Sequence, residues 1–430
     1  MGVKAMASHD VVVLREMAAT RVGRPTVRND ASWFRGGLGR AIIAPIVTEE
    51  CVLKEQATPQ RWQRIVVKVG TSTLTAGTRR LSPPRMVSLV RQLAQLHLAG
   101  HSVVLVSSGA QQAGRERLGY PEESKSIPFK QMLAAVGQGR LMHLWEQYFD
   151  IYDLVVAQVL MTREDVEDRR RYLNLRDTFE SLLQRAIVPI VNENDAVATD
   201  EIKVGENDSL AAMVANAIEA DLLILLTDRD GVYTADPDLS AEARLIPHVE
   251  SIDASLYAMA KGSHSGLGTG GMYTKILAAD LATRSGTHVV VANGNREDVV
   301  EGVLAGTVPC TWFGSQITPA EGRKRWLLAQ TATAGSVVVD AGAKRALIHD
   351  GRSLLPVGIV RWEGDFRRGE AISIRDTSDH EVARGLAAYD ADDLARIAGK
   401  QSGEVTEILG YHYGNAFVHR DKLVVLEHGE

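Results

Sequence analysis

The chain has 430 residues, of which 45% are hydrophobic and 24% are charged, and its formal net charge is −6. This length exceeds one ordinary domain, and the composition is that of a globular protein. The acidic balance gives no general footprint for nucleic acid or an anionic membrane, and no apolar stretch approaches the roughly 18 residues of a membrane-spanning helix.

The first 60 residues differ in pattern from the rest of the chain. Scattered arginines, an apolar run broken by Pro45, and acids such as Asp10 and Glu16 fit neither a secretory signal nor a transit peptide. We therefore expect over 1–60 either a poorly ordered N-terminal extension or a start codon assigned too far upstream. The two cysteines, Cys51 and Cys310, form no metal-binding spacing and no disulfide framework, which favours the reducing cytoplasm as the location.

From Arg64 onward, strand and helix patterns alternate. Apolar runs that predict buried strands lie at 65–69, 103–106, 154–159, 187–191, 222–226 and 289–292. Helical patterns stand between most of these runs. Strands that are apolar on both faces predict a mainly parallel sheet between two helical layers, an α/β three-layer sandwich. Ligands of such sheets bind beyond the carboxyl ends of the strands, so the residues after each strand matter most.

The pattern changes between Thr318 and Gly335. A charged segment at 319–334 indicates a linker, and the segments beyond it alternate with period two between frequent glycines. This pattern predicts a small, mostly-β domain. We place a catalytic domain at 61–318, the small domain at 335–415 and a C-terminal tail at 416–430.

The first two predicted strands end in residues suited to anions. Lys68 lies inside an apolar strand that is followed by Gly70-Thr71-Ser72. A buried lysine is costly unless an anion meets it, which favours phosphate binding over an edge strand with Lys68 in solvent. The second strand runs into Ser107-Ser108-Gly109, whose backbone N–H groups can meet an anion, although many α/β turns look the same.

Polar residues also follow the later strands. Asp195 closes the run Asn192-Glu193-Asn194-Asp195, and Asn207-Asp208 opens a helix twelve residues further on. A carboxylate can pair with an ammonium group and an amide can bind a carboxylate; the alternative is a solvated acidic loop. Thr227-Asp228 begins a polar loop that could wrap a nucleotide base and ribose, or be a plain loop.

A glycine-rich loop at 265–275 is the strongest motif. It has four glycines in six residues and ends in Lys275 at the start of an apolar-faced helix. Such a loop favours a polyphosphate cradle over a flexible hinge, and its spacing is not that of a Walker A loop. No serine or cysteine nucleophile motif stands out, whereas two lysines, glycine loops and acids fit phosphoryl transfer.

These motifs, in this order, resemble those of the bacterial glutamate 5-kinases, which have an amino-acid kinase fold. The resemblance runs from about Val66 to about Asp421. It implies ATP-dependent phosphorylation of the γ-carboxylate of L-glutamate to L-glutamyl 5-phosphate, the first step of proline biosynthesis. Alternatives are another amino-acid kinase with a different carboxylate or carbamate acceptor, or an RNA-binding protein.

The resemblance also implies a role for each matched position. Lys68 and Lys275 would neutralise the transferring phosphoryl group, and Asp208 would hold both lysines. The implied glutamate-binding residues are Ser108, Asp195 and Asn207. The implied ATP-binding residues are Lys68, Thr227, Asp228, Thr269, Gly270, Gly271, Met272, Tyr273, Thr274 and Lys275. Mg²⁺ would bridge the phosphates of ATP, with no protein ligand of its own predicted.

The segment from about Gly335 to Tyr413 resembles a PUA domain, a module that elsewhere binds RNA. Residues 330–430 carry 12 Lys/Arg against 16 Asp/Glu, so this part of the chain is a poor general phosphate binder. This balance argues against a nucleic-acid partner and favours a structural or regulatory role. The family resemblance further implies feedback inhibition by proline and a homo-oligomer.

Overall fold

The structure is a computed structural model that describes residues 62–122, 124, 126–198, 206–261, 271–315, 317–318, 321–322 and 333–426. The predicted N-terminal extension lies outside these ranges. The described residues belong to one compact unit, Glu50–Glu430. Among them, no helix combines the length and the apolar character that crossing a bilayer requires.

A first sheet of eight strands runs through the larger part of the described residues. Its strands are β1 Arg64–Val69, β2 Ser102–Ser107, β3 Val156–Met161, β4 Val188–Glu193, β5 Leu222–Thr227, β6 His248–Val249, β7 His288–Asn293 and β8 Cys310–Phe313. Their order across the sheet is β3-β4-β2-β1-β5-β7-β8-β6. Among the described strand pairs of this sheet, β7 and β8 are antiparallel and the others are parallel, which confirms the prediction of a mainly parallel sheet.

Helices cover both faces of this sheet. In chain order they are α1 Thr71–Thr75, α2 Pro83–Leu98, α3 Ala110–Arg117, α4 Ile127–Phe149, α5 Arg163–Glu167, α6 Arg169–Leu183, α7 Glu206–Ala217, α8 Ala254–Lys261, α9 Met272–Thr283 and α10 Val299–Ala305. One apolar core joins the sheet to α2, α3, α4 and α10. A second core joins the other face to α6, α7, α8 and α9, so the predicted sandwich is confirmed.

Strand β1 decides where Lys68 points. Ile65, Val67 and Val69 belong to the core under α2 and α4, whereas Val66 belongs to the core under α7 and α9. Because side chains alternate along a strand, Lys68 faces the same side as Val66. Strand β1 pairs with β2 on one side and β5 on the other, so the alternative of an edge-strand lysine is wrong.

Helices α3 and α4 cross at unusually close range because glycines line the contact. A Cβ atom on Gly137 would lie 1.8 Å from the carbonyl oxygen of Ala110, and one on Gly114 would lie 2.0 Å from that of Leu133. No side chain fits at either position. The crossing brings the middle of α4 to the start of α3, directly after Ser108, and thus to the carboxyl end of β2.

A second sheet forms the small domain. Its strands are β9 Gly335–Val339, β10 Ile359–Glu363, β11 Ala371–Arg375, β12 Glu381–Leu386 and β13 Leu423–Val425, in the order β10-β9-β11-β12-β13. Its helices are α11 Ala341–Ile348, α12 Ala391–Ile397 and α13 Val405–Leu409. The range assigned above to a C-terminal tail, 416–430, includes β13, which pairs with β12 and belongs to this sheet.

Helix α6 carries the contact between the two sheets. Its Leu173 packs against apolar residues of β11, β12 and β13. Its Asp177 pairs with Lys422 at 3.2 Å and with the buried guanidinium of Arg368, which lies 3.7 Å from the ring centroid of Tyr413. A small interface, apolar and charged, therefore fastens the second sheet to a helix of the first.

Candidate active site

Three charged side chains meet near the carboxyl ends of the central strands. Lys68 lies near the end of β1, Asp208 in the first turn of α7 and Lys275 in the first turn of α9. Lys68 Nζ lies 2.7 Å from Asp208 Oδ1, and Lys275 Nζ lies 3.2 Å from Asp208 Oδ2. Thr274 Oγ1 also donates to Oδ2, at 2.8 Å. One carboxylate thus holds two ammonium groups side by side.

The three charges are almost fully buried. The exposed fraction is 6% for Lys68, 0% for Asp208 and 4% for Lys275. Burial lowers the pKa of Lys68, and Lys275 adds to this effect, although Asp208 opposes it. Burial alone would raise the pKa of Asp208, but Lys275 and Lys68 outweigh it and hold that pKa well below its usual value. The cluster has two cations for one anion, and the excess positive charge favours an anionic ligand.

Gly70 leaves space beside Lys68, and a glycine also begins α9 next to Lys275. A Cβ atom on Gly70 would lie 3.6 Å from Lys68 Nζ. Gly271 is the N-cap of α9 and, as a glycine, has no side chain with which to cap that helix start. The first-turn N–H groups of a helix lack partners within the helix, and its dipole is positive there. Together with Lys275, the start of α9 has the character of a phosphate site.

A chain of polar side chains lies at the ends of β2 and β4. Asn207 Nδ2 donates to Ser108 Oγ at 2.8 Å and to Asn192 Oδ1 at 3.2 Å. Asn192 Oδ1 also accepts from the backbone N–H of Glu193 at 2.9 Å, and Asn192 Nδ2 donates to Gln138 Oε1 at 2.8 Å. Asn207 Oδ1 is buried and has no hydrogen-bond partner among the described residues.

Asp195 lies in the turn that follows β4, at the same edge of the sheet as Asn192. The backbone N–H of Asn194 donates to the carbonyl of Met161 at 3.0 Å, which ties this turn to the end of β3. Asp195 is half-buried. A carboxylate thus stands at the edge where Asn207 and Ser108 meet.

A cavity opens beside the loop that follows β5. Its walls combine carboxylates with apolar and aromatic surface, which suits a flat base and a sugar. The lining residues are Thr227, Asp228, Arg229, Gly231, Val232, Tyr233, Ala235, Asp236, Pro237, Met259, Ala260 and Met272. Because Met272 begins α9, the cavity adjoins the helix start that carries Lys275.

The loop after β5 is tied to the loop after β7 by a pair of ionic hydrogen bonds. Arg296 Nε and Nη2 donate to the two carboxylate oxygens of Asp230, each at 2.7 Å. Asn293 Nδ2 also donates to Asp230, at 3.1 Å. These bonds lower the pKa of Asp230, led by the bond from Arg296, so the carboxylate is ionised and the tie is stable at neutral pH.

The structure brings most of the sequence-predicted positions together. Lys68, Asp208 and Lys275 form one cluster, and Ser108 and Asn207 form another. Thr227, Asp228 and Met272 line the cavity, while Gly271 and Thr274 lie at the start of α9.

One predicted position, Tyr273, stands apart from these groups. Tyr273 is absent from the cavity lining, and its ring packs on Tyr257 with the centroids 5.8 Å apart. Thr269 and Gly270 lie outside the described residues.

Sequence reasoning missed Gln138, Met259 and Arg296. Gln138 and Met259 lie inside helices whose patterns carry no mark of a site. Arg296 follows the end of β7, so the rule that ligands bind beyond strand ends could have found it.

Comparison with known proteins defines the class first. The model of the amino acid kinase family matches residues 63–293, and that of the PUA domain matches residues 335–409. A solved structure of UMP kinase from Ureaplasma parvum is similar over 59% of this chain and 99% of that one, with a TM-score of 0.41 and 15% identity. Fold, lysine pair and family models together define an amino acid kinase with an appended PUA domain.

The sequences of curated relatives identify the family within this class. The glutamate 5-kinase of Klebsiella pneumoniae subsp. pneumoniae is 53% identical over 363 residues, which cover 84% of this chain and 99% of that protein. Those of Escherichia fergusonii and Herpetosiphon aurantiacus are 53% and 52% identical over 362 and 361 residues, each covering 84% of this chain and 98% of the relative. The chain therefore belongs to the glutamate 5-kinase family, as its motifs predicted.

Proposed function

We propose that this chain transfers the terminal phosphoryl group of ATP to the γ-carboxylate of L-glutamate and forms L-glutamyl 5-phosphate, the first step of proline biosynthesis. The observation that carries the proposal is the buried pair Lys68 and Lys275 on one carboxylate, Asp208. Its position between the cavity beside the β5 loop and the polar cluster of Asn207 and Ser108 supports transfer from a nucleotide to a small acid. Relatives that are 52% and 53% identical over 84% of this chain are glutamate 5-kinases.

The lysines neutralise charge during transfer. A γ-carboxylate oxygen of glutamate bonds to the terminal phosphorus, the bond from that phosphorus to the bridging oxygen breaks, and ADP leaves. Negative charge spreads over the phosphoryl oxygens in the transition state, and Lys68 and Lys275 compensate it. Asp208 offsets the repulsion between the two ammonium groups and holds both of them at one place.

Glutamate binds at the ends of β2 and β4. Its ammonium group pairs with Asp195 and Asn207 Oδ1, and its carboxylates accept hydrogen bonds from Ser108 and from backbone N–H groups. Oδ1 of Asn207, buried and without a hydrogen-bond partner in the described part of the chain, supports this assignment, because an acceptor without a donor is costly until a ligand supplies one.

ATP occupies the cavity and the start of α9. Thr227, Asp228 and Met272 contact the nucleoside, and the segment from Thr269 to Lys275 contacts the phosphates. The cavity lining and the glycine N-cap of α9 support this arrangement.

Magnesium enters with the nucleotide in this proposal. Within the ranges that the structure describes, no group of three or more His, Cys, Asp or Glu side chains could hold a metal ion. Asp208 is already bonded to two ammonium groups, so it is a poor ligand for a cation. Mg²⁺ commonly keeps its waters and binds substrate phosphates, which fits the residues present.

Family membership supports further proposals about regulation and assembly. We propose proline as a feedback inhibitor at the glutamate site, a homo-oligomer, and a cytoplasmic location. We propose the bounds given above for the catalytic domain, 61–318. The PUA-like domain comprises 335–415 together with strand β13. The contact of Asp177 with Lys422 and Arg368 supports a structural role for the second domain rather than RNA binding.

A coupled ADP-release assay with a panel of acceptors tests the proposed function. Glutamate should support turnover, while aspartate, N-acetylglutamate, carbamate and UMP should not at equal concentration. Turnover with another acceptor and none with glutamate would assign the chain to a different amino acid kinase activity.

A further inference from the structure

Gln138 has no role in the proposed function, yet it stands at one end of the hydrogen-bond chain that reaches Asn207. The chain runs from Gln138 in α4 through Asn192 at the end of β4 to Asn207 in α7. Each link is an amide, and an amide can rotate to exchange its donor and acceptor ends. The contacts that fix the orientation of these amides therefore determine whether Asn207 presents a donor or an acceptor to a ligand.

The orientation of Asn192 is fixed by the backbone. The N–H of Glu193 can only donate, so the Asn192 atom that lies 2.9 Å from it must be the oxygen Oδ1. Asn192 Nδ2 then points to Gln138 Oε1 at 2.8 Å. Asn192 is only 3% exposed, so solvent does not readily replace Gln138 as acceptor.

The orientation of Asn207 follows from that of Asn192. The Asn207 atom that lies 3.2 Å from Asn192 Oδ1 must be a donor, which makes it Nδ2. The same Nδ2 donates to Ser108 Oγ at 2.8 Å, so Asn207 Oδ1 is left as a buried acceptor without a partner among the described residues. Ser108 already accepts a hydrogen bond, and its own proton can be donated to a carboxylate.

Helix packing fixes the position of Gln138 at the end of this series of hydrogen bonds. Its neighbour Gly137 lies so close to the carbonyl of Ala110 that α4 has little freedom to shift there. Ala110 begins α3, which follows Ser108 and Gly109 directly. The same helix crossing therefore sets the distance between Gln138 and the substrate-facing residues.

We infer that Gln138 is a positioning residue for the acceptor amino acid. By accepting from Asn192 Nδ2, it reinforces the orientation that the N–H of Glu193 gives to Asn192. Asn192 in turn holds the amide of Asn207 so that Oδ1 faces the ammonium group of the substrate and Ser108 donates to a carboxylate. This inference rests on the proposed function, because it takes glutamate to be the ligand of Asn207.

Gln138→Met, which keeps the length of the side chain and removes its acceptor, tests the inference. We expect the KM for glutamate to rise about tenfold, while kcat and the KM for ATP stay within about twofold. An unchanged KM for glutamate would overturn the inference.

A double-mutant cycle separates action through Asn192 from direct contact. In an Asn192→Ala background, Gln138→Met should cause no further rise in the KM for glutamate, because the link is already broken. An equal rise in both backgrounds would mean that Gln138 acts without Asn192, and the inference would fail.

Gln92→Met is the matched control for loss of stability. Gln92 is a buried glutamine of α2 that accepts from the N–H of Val300 at 2.8 Å and donates to the carbonyl of Ser88 at 3.1 Å. This variant should lower Tm and leave the KM for glutamate unchanged; an equal rise in KM would reduce Gln138 to a structural residue. Wild-type protein that does not use glutamate would overturn the proposed function itself, whereas a failure confined to Gln138→Met leaves that function intact.

Discussion

Replacing Lys68 or Lys275 with alanine lowers kcat by about 10²–10³-fold, with a much smaller change in either KM. Both ammonium groups are buried against Asp208. The low dielectric there strengthens their electrostatic attraction to the charge that develops as the phosphoryl group transfers. Steady-state kinetics with glutamate and with ATP varied separately measure the effect. Each variant keeps one lysine paired with Asp208, so the protein should remain folded.

Lys400→Ala provides the comparison for these two variants, since Lys400 is exposed in the second domain. Its kinetics should match those of the wild type. Near-normal kcat in Lys68→Ala would contradict the phosphate role of that lysine, and a large rise in the KM for ATP at unchanged kcat would reduce it to a binding residue. Asp208→Ala should be less stable than either lysine variant, because it leaves two buried ammonium groups without a counter-charge.

Gly137→Ala should destabilise the protein by at least about 3 kcal/mol, because a single added methyl group meets backbone that cannot yield. Its Cβ would lie 1.8 Å from the carbonyl oxygen of Ala110 and 2.3 Å from the backbone nitrogen of Gly114. Relief requires that α3 and α4 separate, which also moves Ser108 and Gln138. Urea unfolding and thermal melting measure the change.

Gly139→Ala is the control on the same helix. A Cβ atom on Gly139 meets no atom within 4 Å, so alanine there should leave stability unchanged or raise it by up to about 1 kcal/mol through helix propensity. Equal stabilities of the two variants would show that the close crossing of α3 and α4 does not matter for the fold.

The sequence predicts the parts of this molecule that follow from local pattern. Apolar runs with both faces buried led to the parallel sheet, and the rule of strand ends led to Lys68, Ser108 and Thr227. The glycine loop led to Lys275 because glycines followed by a lysine at a helix start are typical of a phosphate-binding site.

The features that the sequence pattern does not predict depend on contacts between segments that are distant in the chain. No sequence pattern around Asp208 predicts that its carboxylate pairs with both Lys68 and Lys275. That role was predicted from the family resemblance alone. Gln138 reads as a surface glutamine of a long helix until the crossing at Gly137 sets it against Asn192. Strand β13 is three residues long, too short to show a period, and its pairing with β12 is a tertiary property.

Trapping with hydroxylamine asks most directly whether the chain makes an acyl phosphate of glutamate. With ATP, L-glutamate and hydroxylamine present, the wild-type protein should form γ-glutamyl hydroxamate in step with ADP, and omission of glutamate should abolish it. Lys275→Ala should form it at a rate reduced as kcat is. ADP release without hydroxamate, or hydroxamate from another acid but not from glutamate, would contradict phosphorylation of the glutamate side chain.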